Sequence, residues 1–435
     1  MSESLDRILF NYQDPNWSDK LEGIYEAAQA ATYFEDGSPE DVTLTGIIQK
    51  VKQTKNKALL DFTQRFDQVE LEEDELRVSP EALKAAHEQL PPALLESLRL
   101  AIDNVRSYQR AIFVGDKRSH PGIRYSAIER VGVCVPGASA PLPSTVIMTV
   151  VPAQVAGVRD IAVISPPRYQ GSIHPVILGV CYELGITEVY RMGGAHAVAA
   201  LAYGTETIKP VHKIVGPGNQ WVQMAKRKVF GRVDIDSIAG PSEVLILAND
   251  QANPAWVAAD MLSQAEHAPG SAVVFTDSDS LAQSVLEELK KQVVTLDRSE
   301  GTIDCLLRFS SIIAFDSIDN MVEQANLLAT EHLEIQCGDQ TQAVANRIKN
   351  AGAMFLGAYT PVAVGDYWAG PSHTLPTGRT ARFFSALSSN SFIKSTSIIS
   401  YDEKKLRDSV PHIVALATTE GLDAHAKSVQ VRFKK

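Results

Sequence analysis

A chain of 435 residues, 45% of them hydrophobic and 21% charged, carries enough apolar material for two or three domains with sizeable cores. Its 41 basic against 52 acidic residues leave a formal net charge of −11, which argues against nucleic acid or an anionic membrane surface as the main ligand and favours small molecules. Cys134, Cys181, Cys305 and Cys337 are far apart and form no CxxC pair, so neither a disulfide framework nor a cysteine zinc site is expected, and a reducing cytoplasm fits. The N-terminal MSESLDRILF has no basic region leading into an apolar one, and Pro152 interrupts the most apolar segment, 146–158, which is too short to span a bilayer. Neither an export signal nor a membrane span is therefore expected.

Taken in order, residues 1 to about 125 read as helical and polar, with amphipathic spacing in ALLDFTQRFD from Ala58 and LPPALLESLRLAIDNVRSYQRAI from Leu90. They read as scaffold, and Glu72-Glu73-Asp74-Glu75 as a solvated turn. From Arg130 the texture changes to β-branched runs, VGVCV, DIAVIS, EVYRM and HKIVG, alternating with helical stretches, the pattern of a parallel sheet with helices on both faces. Three of these runs end in glycine loops: Pro136-Gly137-Ala138-Ser139, Gly193-Gly194-Ala195-His196 and Gly216-Pro217-Gly218-Asn219. None is GxGxxG, and any one alone is a tight turn. Three at successive strand ends point to an anion held by backbone N–H groups, so 130–240 reads as a Rossmann-like nucleotide-binding domain.

The stretch from Asp236 to His267 places a Gly-Pro turn, a strand over Val244 to Ala248 and a helix in succession, with Asn253 as N-cap and Pro254 in the first turn. Val257, Met261, Gln264 and Ala268 fall at helical spacing, so the inward stripe contains an amide that needs a partner. His267 follows one turn on. Two readings stay open: Gln264 and His267 converge on a metal ion, or they are a rim glutamine and a capping histidine.

A second α/β run covers about 244–370 through VLILA, AVVFT, SIIAF, LEIQC and AMFLG. Met321, Ala325, Leu328 and His332 share one helical face, which places Glu331-His332 at a helix C-terminal end, as cap or as catalyst. Gly240 to Glu243, Gln264 with His267, and Glu331-His332 all then fall on the edge of the strand N-termini, opposite the usual ligand crevice. That edge suits a substrate or metal while the first domain holds a cofactor. Beyond Gly357 a long loop, TPVAVGDYWAGPSHTLPTGRTARFFSALSSNSF, offers Asp366 and His373. Glu420 and His425, in VALATTEGLDAHAKSVQVRF, read locally as surface residues.

Over essentially its whole length the chain resembles the histidinol dehydrogenases. The resemblance rests on VPGASAPLPSTVIMTVVPAQVAG, GGAHAVAALAYGTE, KIVGPGNQWV, DIDSIAGPSEVLILAN, LSQAEH, ATEHLE, GDYWAGPSHTLPTGR and EGLDAHAKS in this order. It implies a zinc- and NAD-dependent enzyme that oxidises L-histidinol through L-histidinaldehyde to L-histidine with two NAD. The motifs place the implied zinc ligands at Gln264, His267, Asp366 and His425 and the acid–base pair at Glu331 and His332. Implied substrate contacts are Ser242, His373 and Glu420, besides the zinc ligands and His332. A zinc ion held by two imidazoles, a carboxylate and a neutral amide keeps positive charge and can accept further ligands. Implied cofactor contacts are Cys134, His196 and Asn219. Here the chain departs from the family: a tyrosine usually stands at Cys134, the second glycine of VPGG is Ala138, and GGAQ ends in His196.

The expected architecture is α/β, two Rossmann-like open-sheet domains with helical extensions. The expected division is 1–129, a helical segment packing largely with the second α/β domain; 130–243, NAD-binding; 244–385, with the zinc and acid–base residues; and 386–435, a dimerisation arm. The resemblance implies a homodimer with shared active sites, Glu420 and His425 serving the partner's site. Competing readings are a paralogue acting on another alcohol such as a sulfonated diol, which a carboxylate at Glu420 would repel; a zinc hydrolase using Glu331 to activate water; and a non-catalytic NAD- or metal-binding protein.

Overall fold

The computed structural model describes residues 2–30, 33–115, 120–137, 141–266 and 270–434. Two compact units make up the chain: Met1–Phe113 with Ala127–Phe392, and Val114–Ser126 with Ile393–Lys435. Strands in chain order are β1 (Leu9–Asn11), β2 (Ile123–Ala127), β3 (Arg130–Cys134), β4 (Asp160–Ser165), β5 (Glu188–Arg191), β6 (Lys213–Val215) and β7 (Asp234–Ile235). They continue with β8 (Ser242–Ala248), β9 (Gly270–Thr276), β10 (Ser311–Ala314), β11 (His332–Gln336), β12 (Ala353–Leu356) and β13 (Ile393–Ser397).

In the first unit β3 to β7 form a parallel sheet of order β5-β4-β3-β6-β7. A second parallel sheet has the order β1-β10-β9-β8-β11-β12. The first sheet starts at its centre, winds outward one way and then reverses, and the run from β8 to β12 does the same in the second, where β1 is added at the edge beside β10; this is the doubly wound pattern expected from β-branched runs alternating with helices. On β8 the alternation divides the core: Val244, Ile246 and Ala248 pack on one face, Leu245 and Leu247 on the other. On β11 Leu333 and Ile335 join the second of these faces, which turns His332, Glu334 and Gln336 toward the first.

Two expectations about the N-terminal segment are corrected. Leu9–Asn11, read as helical, is a strand paired in parallel with β10, too short for any period to show. Among the described residues of this segment, those before 31 pack with the second sheet, through Leu21, Ile24 and Tyr25. Phe34, Leu44, Ile47, Val51 and Leu59 instead share a core with the first sheet, because its helix Gly194–Tyr203 is apolar all round and needs cover on its outer face. Glu73–Glu75 is an exposed 3-10 turn closed by a capping box with Glu72, as the acidic run suggested. The second unit contains the two-stranded β2–β13 sheet and the helices Glu403–Thr419 and Asp423–Gln430. Among the described residues no helix is long and apolar enough to cross a membrane.

Candidate active site

β8 and β11 are neighbours, with His332 in register with Val244, so the residues entering the two strands meet at one sheet edge. The helix before β11 ends at Leu328 because Ala329 takes a left-handed conformation, φ 49°. This corrects the placement of His332 on that helix: it is the first residue of β11, and Glu331 precedes the strand. Glu331 Oε2 accepts hydrogen bonds from Ser242 Oγ at 2.7 Å and from the Glu243 N–H at 2.9 Å. In return Glu243 Oε1 accepts from the Glu331 N–H at 3.2 Å and from the Gly378 N–H at 3.0 Å.

His332 Nδ1 lies 3.1 Å from the Glu243 carbonyl oxygen. A carbonyl only accepts, so Nδ1 carries the proton and Nε2 holds a lone pair. Burial depresses the pKa of the ring, against the opposing effect of Asp366, and keeps it neutral. Nε2 has no hydrogen-bond partner among the described residues and lies 3.8 Å from Asp366 Oδ1. Burial pushes Glu331 up to about 8; the Ser242 and Glu243 bonds oppose that shift and Asp366 adds to it. A buried neutral imidazole with its lone pair exposed to a cavity, beside a carboxyl that ionises near neutrality, is an acid–base pair.

Asp366 lies in the short helix Val362–Tyr367, and its carbonyl oxygen accepts from His373 Nδ1 at 3.2 Å. His373 Nε2 faces the Thr145 hydroxyl at 3.5 Å, and burial pushes the ring down to about 4. His332, Phe355, Asp366 and His373 line a cavity of about 110 Å³. Gln264, in the last turn of helix Pro254–Ala265, is 2% exposed and its Nε2 has no partner among the described residues, so the awkward buried amide is real. The helix ends at the edge where Gly270 of β9 pairs with Ser242, as expected. His267 lies outside the described residues. Among those described, no three His, Cys, Asp or Glu side chains gather closely enough to hold a metal ion. Glu420 and His425 belong to the second unit, both exposed, the first capping helix Glu403–Thr419 and the second in helix Asp423–Gln430.

At the opposite, C-terminal edge of the first sheet the glycine loops line a cavity of about 300 Å³ that includes Cys134, Gly137, Gly193, Gly218 and Asn219. A second cavity, of about 600 Å³, is bounded by Arg65, Phe66, Arg168, His196, Asn219 and Trp221. Gly216 has φ 105°, and a Cβ there would sit 2.3 Å from the Cys134 carbonyl oxygen, so only glycine lets the loop pass so close to β3. Helix Gly194–Tyr203 starts without a side-chain cap, which leaves its first N–H groups for an anion. Asn219 caps helix Gln220–Val229 by accepting from the Val222 N–H at 3.2 Å. His196 is buried beside Phe62 and Phe66 and is pushed down to about 3, while burial pushes the Cys134 thiol up to about 12. Neither ring nor thiol carries charge. Ala138 lies outside the described residues.

The sequence places Glu243 on this edge without marking it out for a role, yet it contacts both Glu331 and His332. Its one signal was a glutamate opening an otherwise apolar strand, and it is 4% exposed.

The histidinol dehydrogenase family model matches residues 35–433. Histidinol dehydrogenase of Rhodopirellula baltica is 47% identical over 401 residues, covering 91% of this chain and 87% of that protein. That of Geobacillus kaustophilus is 43% identical over 424 residues, covering 96% and 99%. A crystal structure of histidinol dehydrogenase from Elizabethkingia anophelis superposes with a TM-score of 0.88 at 34% identity, covering 97% of both chains. A match of this extent in both sequence and structure places the chain in the histidinol dehydrogenase family.

Proposed function

We propose that the protein oxidises L-histidinol through L-histidinaldehyde to L-histidine with two NAD, at a zinc-dependent site formed by Gln264, His267, Asp366 and His425. The observation that carries this reading is His332, whose Nδ1–H is committed to the Glu243 carbonyl while its Nε2 lone pair stands beside Asp366 at the cavity wall. The zinc assignment is supported by the unpartnered, buried Gln264 amide at the same sheet edge and by the all N/O donor set, with the cysteines Cys134, Cys181, Cys305 and Cys337 all buried as free thiols. When bound, zinc supplies a Lewis acid that orients the substrate, and NAD supplies the hydride acceptor for each oxidation.

His332 Nε2 takes the alcohol proton in the first oxidation. Glu331, held by Ser242 and the Glu243 N–H, removes a proton from the water that adds to the aldehyde, and His332 again accepts the hydroxyl proton in the second oxidation. His373 and Glu420 contact the substrate, Glu420 by charge to its ammonium or imidazole. The glycine loops, with Cys134, His196 and Asn219, bind NAD. Two subunits share their sites through the arm that carries Glu420 and His425.

In His332→Asn the amide N–H replaces Nδ1–H toward Glu243, but no base remains at Nε2. Turnover of histidinol falls roughly 10²- to 10⁴-fold while bound zinc is unchanged. Turnover at the original rate refutes the assignment, and loss of zinc shows that His332 is a ligand instead.

A further inference from the structure

Behind the site, three polar side chains take no part in the steps above. Glu334 is 1% and Gln336 4% exposed, and both project from β11 on the His332 side. Gln336 Nε2 donates to Asp260 Oδ2 at 2.9 Å and to Glu334 Oε2 at 3.0 Å. Glu334 Oε1 accepts the Val362 N–H at 3.0 Å. Burial, with the neighbouring Asp260 carboxylate adding to it, pushes Glu334 well above the usual range, so it keeps its proton and donates it in a hydrogen bond to Asp260. Two bare carboxylates in that place would repel strongly.

The placement of these groups is what matters. Asp260 stands one helical turn before Gln264 on helix Pro254–Ala265. Val362 stands one turn before Asp366 on helix Val362–Tyr367, and Glu334 lies two residues after His332 on β11. One hydrogen-bonded unit therefore joins three elements, each a single step behind the functional residue it contributes. Packing alone does not require it, since an apolar side chain would fill the space without the desolvation cost of two carboxyls. Gln336 Oε1 is even left buried without a partner among the described residues, a further cost to stability.

We propose that Glu334, with Asp260 and Gln336, is a positioning brace that sets the spacing of Gln264, His332 and Asp366. The six-residue helix bearing Asp366 is too short to hold its own orientation, and the Val362 N–H bond to Glu334 fixes its first turn to the strand that bears His332.

This proposal rests on the zinc reading of Gln264 and Asp366, and the test separates the two. Full-length Glu334→Gln, Glu334→Leu and Asp260→Ala are titrated with zinc alone against a chelating dye, beside the unaltered protein, with thermal unfolding of the metal-free forms recorded in parallel. Glu334→Leu and Asp260→Ala weaken zinc binding roughly 10- to 100-fold. Glu334→Gln keeps an acceptor for Val362 and an N–H for Asp260 and gives up only the bond from Gln336 Nε2, so it stays within about fivefold of the unaltered protein. A merely structural role would instead lower the unfolding temperature and leave the zinc affinity of the folded protein unchanged. Unchanged affinity in Asp260→Ala overturns the brace, as does a Glu334→Gln that loses as much as Glu334→Leu. Should Glu334→Leu not fold, Asp260→Ala decides alone, since that side chain is only partly buried. Unaltered protein that binds no zinc sinks the zinc reading and takes the brace with it, whereas unaltered protein that binds zinc beside variants that bind it equally well sinks the brace alone.

Discussion

Replacing Glu331 by glutamine separates the two oxidations. Glu331 Oε2 accepts from Ser242 Oγ at 2.7 Å and the Glu243 N–H at 2.9 Å, and a glutamine carbonyl oxygen in that place accepts both, so the fold changes by no more than about 1 kcal/mol. What disappears is the base. With its carboxyl pushed up to about 8, roughly one wild-type molecule in ten is ionised at pH 7 and about nine in ten at pH 9. Oxidation of supplied histidinaldehyde by the wild type therefore rises with pH through about 8. In Glu331→Gln that limb is lost and the rate falls roughly 10²- to 10⁴-fold at pH 9, with the contrast about tenfold smaller at pH 7. The first oxidation, which uses His332, continues, so histidinol yields one NADH and an aldehyde that semicarbazide traps. The assay is NADH formation from aldehyde and from histidinol between about pH 6.5 and 9.5. A variant that oxidises the aldehyde at the wild-type rate with the wild-type pH profile refutes the role given to Glu331.

His196, pushed down to about 3 by burial, makes stability depend on pH. The unfolded imidazole titrates near 6.5 and takes a proton the folded one refuses, so its contribution is whole above pH 6.5 and is lost as pH falls toward 3. The slope is about 1.4 kcal/mol per pH unit for this one group. Chemical denaturation at pH 7 and pH 5 shows a loss of about 2 kcal/mol from this source, which His196→Gln removes; an equal loss in the variant refutes it. Gly216→Ala forces a Cβ to 2.3 Å from the Cys134 carbonyl oxygen at φ 105°. It costs about 2 kcal/mol or more in urea unfolding and weakens NAD binding measured by calorimetry, and a neutral alanine contradicts the strained-loop account.

Much of this was legible in the sequence. The runs VGVCV, DIAVIS and VLILA gave strands because a parallel sheet buries both faces, and short continuous apolar stretches between turns fit little else. Gln264 announced itself as an amide on an apolar stripe. The meeting of Ser242 with Glu331 followed from the topology, since both stand at strand N-termini. His332 was misplaced onto a helix because Ala329 ends it in a left-handed turn without the glycine that usually signals one. Glu334 and Gln336 stand in plain view in LEIQC, but alternating polar residues on a strand usually mark a solvated face, and only tertiary contacts tell a buried brace from that. Leu9–Asn11 is too short for periodicity and becomes a strand only through β10. For Glu420 and His425, exposed on helices, no local pattern distinguishes ligand from surface, and only the family resemblance singles them out.

The most direct test of the central claim is stoichiometric. Zinc-loaded protein is given L-histidinol and excess NAD, and NADH and histidine are followed together. The account predicts two NADH for each histidine formed. NADH without histidine, or no turnover of histidinol, contradicts it.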